Sequence, residues 1–216
     1  MQSFAWQGNA FQRNPRQTFN QREVKMKIYC TIKGTSPLLM NRFTEEAELS
    51  VSSTTKKATK ANKGTPREQA EKKAYIDEKG VLFIPGMNIY ASIIEGGKFI
   101  KIGKAKATNS KSSLIPAAMI LEEERCTLGT KNWEVDSRSV VIPATGGRIM
   151  AYRPRLDEWE CSFTIDLFDP DILAPSDVRQ IIDDAGKKIG LGDFRPSRKG
   201  PFGRFCVVSW KEDGKI

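Results

Sequence analysis

The chain of 216 residues contains no histidine and only four cysteines. Without imidazole there is no Ser-His-Asp triad, no Cys-His pair and no histidine general base. Cys30, Cys126, Cys161 and Cys206 lie far apart, with no CxxC pair. Zinc needs clustered thiolate or imidazole ligands, so no metal and no cofactor is implied. Cys30 and Cys161 fall on the apolar phase of alternating segments and Cys206 lies within another, which reads as reduced thiols packed as small apolar groups. No apolar run approaches the roughly 18 residues of a membrane span. Residues 1–21 have neither an apolar centre nor a small-residue cleavage site. The expectation is a cytoplasmic protein with no membrane partner.

Acid is in deficit too: 26 Asp and Glu face 35 Lys and Arg, a formal net charge of +9. Such an excess favours an acidic partner, nucleic acid being the commonest, with solubility alone as the bland alternative. The length allows one sizeable core.

Residues 1–22 are rich in Gln, Asn and Arg, with Phe4, Trp6, Phe11 and Phe19 among them; this composition predicts a flexible N-terminal arm. Residues 23–212 read as a single domain carrying a long basic insertion at 44–75 and a hairpin at 137–155, followed by a tail at 213–216. Val24, Met26, Ile28, Cys30 and Ile32 alternate with polar residues, the pattern of a half-buried strand. Thr65-Pro66 marks the start of a short helix. "GVLFIPGMNIYASIIEGGKFIK" predicts a strand, a Pro-Gly turn and a helix burying Ile89, Ile93 and Ile94. Lys98 to Lys111 carries five lysines, and "SLIPAAMILEEE" reads as a strand. "SRSVVIPATGGRIMAYRPRL" reads as a hairpin. Trp159, Cys161, Phe163, Ile165 and Leu167 alternate as another strand. Ser176 reads as the cap of a helix burying Val178, Ile181, Ile182, Ala185 and Ile189, and "RFCVVSW" is a last strand. The order strand, helix, strand, strand, helix, strand predicts an α+β, ferredoxin-like (RRM-like) antiparallel sheet with helices on one face.

Residues 189–205, "IGLGDFRPSRKGPFGRF", hold four glycines, two prolines and four basic side chains. Gly190 is expected to end the preceding helix in a left-handed conformation. Gly192, Gly200 and Gly203 are expected to leave backbone N–H groups open to a phosphate. Arg195, Arg198, Lys199 and Arg204 add charge, and an arginine fork matches phosphate geometry. The spacing is not that of an NTP-binding loop. A long turn whose glycines serve only geometry is the alternative. Phe194, Phe202, Tyr152 and Tyr90 are candidates to stack on bases, with core packing as the alternative for Phe202 and Tyr90.

"IPGMNIYASI", "GLGDFRPSRKGPFGRF" and "IKGTSPLLMNRF", together about a fifth of the chain, resemble three segments of the repeat-associated mysterious protein (RAMP) superfamily, the RRM-like subunits of CRISPR effector complexes. The ending is also similar to that of small phage proteins. The resemblance implies a subunit that coats single-stranded RNA or DNA, with itself or other effector subunits as partners and the hairpin as a thumb. The expected nucleic-acid-binding residues are Gly190, Gly192, Phe194, Arg195, Arg198, Lys199, Gly200, Gly203 and Arg204, with Arg148, Arg153 and Arg155 of the hairpin, Lys101, Lys104, Lys106, and Asn88 after the Pro-Gly. Met87-Asn88 replaces the two serines found in the family's segment. No catalytic constellation stands out: Asp166, Asp169 and Asp171, Asp183-Asp184, and Glu122 to Glu124 all read as surface charge. The expectation is a non-catalytic binder. The alternatives are a phage-type single-stranded DNA-binding or recombination accessory protein, a metal-independent endoribonuclease, and an assembly protein whose charge neutralises a partner subunit.

Overall fold

The computed structural model describes residues 26–43, 64–141 and 146–214. The expected arm at 1–22, positions 44–63 of the basic insertion, the hairpin turn at 142–145 and the end of the tail at 215–216 lie outside the described residues. In chain order the elements are β1 (Met26–Gly34), β2 (Leu38–Leu39), α1 (Pro66–Glu71), β3 (Phe83–Pro85), α2 (Gly86–Gly96), β4 (Lys101–Ile102), β5 (Ala105–Lys106), α3 (Ile115–Ala118), β6 (Met119–Leu121), β7 (Arg125–Thr127), β8 (Glu134–Val141), β9 (Arg148–Leu156), β10 (Glu160–Leu167), α4 (Pro175–Asp184) and β11 (Phe205–Asp213).

The protein is α+β, built on antiparallel sheets. Its largest sheet has the strand order β11-β1-β10-β6. The period-two alternation of β1 and β10 explains why they lie at its centre. Ile28 stands opposite Ile165, Cys30 opposite Phe163 and Ile32 opposite Cys161, so one face is continuously apolar. Helices α2 and α4 cover that face. Ile89 and Ile93 from α2, and Val178, Ile181 and Ile182 from α4, join a single core with the strand residues. Burying each such aliphatic side chain contributes about 1.5–3 kcal/mol. The two helices approach at Gly96, where a Cβ would lie 2.7 Å from the Ile181 carbonyl oxygen. A second sheet, β2-β9-β8, holds the hairpin; β3-β7 and β4-β5 are two-stranded. The hairpin pairs from Glu134 opposite Arg155 to Val141 opposite Arg148.

Several local expectations are corrected. Residues 113–124 are not one strand: Pro116, suited to a first helical turn, places α3 ahead of the short β6. The cap of helix α4 lies two residues before the expected Ser176, with Ala174 as N-cap and Pro175 at the first helical position. The helix runs into a π turn, Ala185–Ile189, whose last residues include Lys187 and Lys188. Gly86 opens α2 directly after β3, with no separate turn; a Cβ there would sit 2.0 Å from the Glu123 carbonyl oxygen. The start of α1 at Thr65-Pro66 is as expected, and Thr65 and Glu68 cap each other reciprocally.

The acids read as surface charge also have structural partners. Glu123 accepts from the backbone N–H and the hydroxyl of Thr164, both at 2.7 Å. Glu122 and Asp166 clasp Lys27, whose ammonium their hydrogen bonds hold protonated well above its usual range. Asp183 accepts from the Val207 N–H, and Asp184 pairs with Lys188. Cys30, Cys126 and Cys161 are buried and Cys206 is half-buried, all four reduced. Burial pushes the Cys30 and Cys126 thiols up to about 12, and raises Cys161 as well. No helix among the described residues is long and apolar enough to cross a membrane.

Candidate nucleic-acid interface

The π turn that closes α4 ends at Gly190, whose φ of +76° and ψ of 178° fall in a region essentially reserved for glycine. This is a positive φ with extended ψ, in place of the expected left-handed conformation. From there the chain folds back on itself. Gly200 lies against Phe194, where a Cβ would fall 1.7 Å from the carbonyl oxygen. Phe194 and Lys199, with φ of 48° and 60°, are the only non-glycine residues with positive φ among those described. Both lie in this one loop, which therefore carries its own backbone strain.

Hydrogen bonds pin the loop to the first third of the chain. The Asp193 N–H donates to the Leu39 carbonyl at 2.8 Å, the Gly203 N–H to Pro37 at 2.8 Å and the Arg204 N–H to the Ser36 hydroxyl at 2.9 Å. The expected cradle of bare glycine amides is largely absent for that reason. Gly190 donates to Ala185, Gly200 to Arg195 and Gly203 to Pro37. Of the four glycines only Gly192 has an N–H without a hydrogen bond among the described residues. Positive-φ glycine serves close backbone approach here: a Cβ on Gly203 would meet the Leu191 carbonyl oxygen at 1.8 Å, and one on Gly192 the Leu39 oxygen at 2.3 Å.

The cations are arranged differently from the amides. Arg195 donates to the Ser197 hydroxyl and the Gly192 carbonyl, both at 3.0 Å, and Arg204 donates to the Lys187 carbonyl. Arg198 and Lys199 are exposed. None of the four forms an ion pair among the described residues. On β9 the opposite holds. Arg153 pairs with Asp193 at 2.5 Å and Arg155 with Asp157 at 2.6 Å. Arg148, at the far end of β9, is exposed.

Between α2 and the loop runs a groove of about 340 Å³. Asn88, Ala91, Ser92 and Glu95 line one wall because positions three, four and seven residues apart share a helix face. Gly190, Gly192, Asp193 and Arg195 line the other, with Asn41 and Tyr75 alongside. The buried Ser92 hydroxyl fastens the walls together by donating to the Gly190 carbonyl at 3.1 Å. Beyond the groove Phe194 is 41 % exposed, its ring 6.1 Å from that of buried Phe202, over which Arg138 sits at 4.6 Å.

No protein-family model matches the chain, and no curated protein matches it.

Two segments about a hundred residues apart in sequence thus meet at one site. The groove unites Asn88 with Gly190, Gly192 and Arg195 of the expected set. Phe194, Arg198, Lys199, Gly200, Gly203 and Arg204 belong to the same loop. Lys101, Lys104 and Lys106 are exposed on the β4-β5 hairpin and do not line the groove. Tyr90 donates its hydroxyl to the Met119 carbonyl and packs against the core, and Phe202 is buried, so core packing accounts for both rings. Asn41, Tyr75, Ser92 and Glu95 were not expected at the site. The three-four-seven spacing from Asn88 marks Ser92 and Glu95 once α2 is assigned; nothing local in the sequence marks Asn41 or Tyr75. Among the described residues no group of three or more Cys, Asp or Glu gathers as an ion site.

Proposed function

We propose that the protein binds single-stranded nucleic acid along the rim of the groove between α2 and the glycine-rich loop, as a non-catalytic subunit that assembles along the strand. The observation that carries this reading is a loop held rigid by backbone hydrogen bonds whose four cations lack carboxylate partners. Four cations without an acid partner on one pinned, strained loop beside a polar groove suit a string of phosphates. Arg195, Arg198, Lys199 and Arg204 contact phosphates with side chains, in place of the glycine amides. Phe194, displayed on a backbone too constrained to fold away, stacks on a base, a contact worth roughly 1–3 kcal/mol. The strand order β11-β1-β10-β6, with α2 between β1 and β6 and α4 between β10 and β11 in sequence, supports a ferredoxin-like, RRM-like arrangement. That arrangement and the two converging motifs support kinship with the RAMP subunits.

The test is fluorescence anisotropy with a labelled single-stranded oligonucleotide, in RNA and DNA forms. Replacing Arg195, Arg198, Lys199 and Arg204 together by Ala is expected to remove measurable binding at physiological salt, where the wild type still binds, while lowering the melting temperature only slightly through the lost hydrogen bonds of Arg195 and Arg204. Undiminished affinity in that variant removes the assignment.

A further inference from the structure

We infer that the groove receives one base of the bound strand and selects guanine, with Glu95 as the group that reads it; this rests on the single-strand reading above. The groove is small for a ligand site, about 340 Å³, and suits one nucleotide-sized group. Its charge is unlike that of the rim. Two carboxylates line it, Asp193 and Glu95. Asp193 is occupied: one oxygen pairs with Arg153 and the other accepts from the Phe194 N–H at 2.9 Å. Glu95 is half-buried and its carboxylate has no hydrogen bond or ion pair among the described residues. It shares the groove with Arg195 without pairing to it, so both have open valences toward the same space.

A phosphate is repelled by such a carboxylate, so the phosphates follow the cationic rim and the floor takes the base. A carboxylate offers two parallel acceptors. Guanine alone presents two adjacent donors, N1–H and the exocyclic N2–H, that meet both oxygens at once. Adenine and cytosine bring one amino donor beside a ring acceptor, and uracil or thymine a single N–H flanked by two carbonyls that oppose the carboxylate. Asn41 and Asn88, whose side-chain amides also have no partner among the described residues, supply donors for the guanine carbonyl. The edge being read is common to RNA and DNA.

The experiment compares an all-uridine oligonucleotide with versions carrying one isolated guanosine, adenosine or cytidine, and the deoxy equivalents, on the wild type, Glu95→Gln and Glu95→Ala. The wild type is expected to favour the guanine-bearing strand by about tenfold. Both variants are expected to lose that preference, each binding the guanine-bearing strand no better than it binds the all-uridine strand, with unchanged melting temperatures. Equal affinity of the wild type for all four strands overturns the inference and leaves single-strand binding standing. Guanine preference that survives in Glu95→Gln also overturns it, as does a uniform weakening of that variant on every strand. Failure of the wild type to bind any strand removes the inference together with the reading beneath it.

Discussion

Arginine appears in quantity in two regions, the loop at 190–204 and the strand β9, and the structure treats them oppositely. On β9, Arg155 meets Asp157 two residues on, and Arg153 reaches across to Asp193. Among the described residues no carboxylate comes within ion-pair reach of the loop's own cations, Arg195, Arg198, Lys199 and Arg204. Charge of one type therefore does two jobs. In one region it pairs with acids of the fold; in the other it hydrogen-bonds at most to neutral groups and keeps no acid partner. Counting basic residues in sequence cannot separate the two, because the carboxylate that meets Arg153 is Asp193, forty residues on and brought in by folding.

The sharpest way to break this comparison is to swap the readouts. Arg153→Ala leaves the half-buried Asp193 without its half-buried partner, and is expected to cost about 1–3 kcal/mol of stability, measured by denaturant titration. Arg198→Ala, on the open rim, is expected to change stability by less than about 0.5 kcal/mol while weakening oligonucleotide binding. Comparable stability losses for the two would erase the distinction.

Glycines sharpen it next. Gly203 combines a φ of +69° with a backbone oxygen at 1.8 Å from any added Cβ, whereas Gly103, in the β4-β5 turn, has a φ of +60° and nothing within 4 Å. Gly103→Ala is expected to cost about 1–2 kcal/mol for its backbone alone. Gly203→Ala is expected to cost more than that, because the loop must shift, and to reduce binding as well.

A smaller effect concerns the core beneath. Burial holds Cys30 and Cys126 neutral up to about 12. Because the folded pKa is raised, the favourable contribution is fully present below the unfolded value and fades as pH rises from about 9 toward about 12. Melting temperature is expected to fall across that alkaline range, and Cys30→Val to flatten the fall. Smallest of all, half-buried Cys206 is expected to react with a thiol reagent before the three buried cysteines, as peptide mapping of the labelled chain can show.

Much of the framework was legible in the sequence because period-two and helical spacing report burial directly. The faces of β1 and β10, and the stripe Val178, Ile181 and Ile182, are where the alternation puts them. Local steric requirements were harder to see. Pro116 placed a short helix inside what read as one strand, Pro175 moved the start of α4 ahead of its expected Ser176 cap, and Gly86 is required by contact with Glu123, distant in sequence. At the site, the loop and Asn88 were legible as separate segments. Their meeting across one groove, the internal use of the glycine amides and the open carboxylate of Glu95 all depend on tertiary contacts that no local pattern carries.

The central claim is that cations left unpaired on a rigid loop hold a single strand by its phosphates. Its most direct measurement is the salt dependence of oligonucleotide affinity for the wild type and for the protein with Arg195, Arg198, Lys199 and Arg204 replaced by Ala, the variant being read at low salt where residual binding persists. Each neutralised phosphate on a single strand adds about 0.7 to the log–log slope, so the wild type should be steeper by roughly three units. Equal slopes, or a wild type that binds no single strand at any salt concentration, would contradict the account.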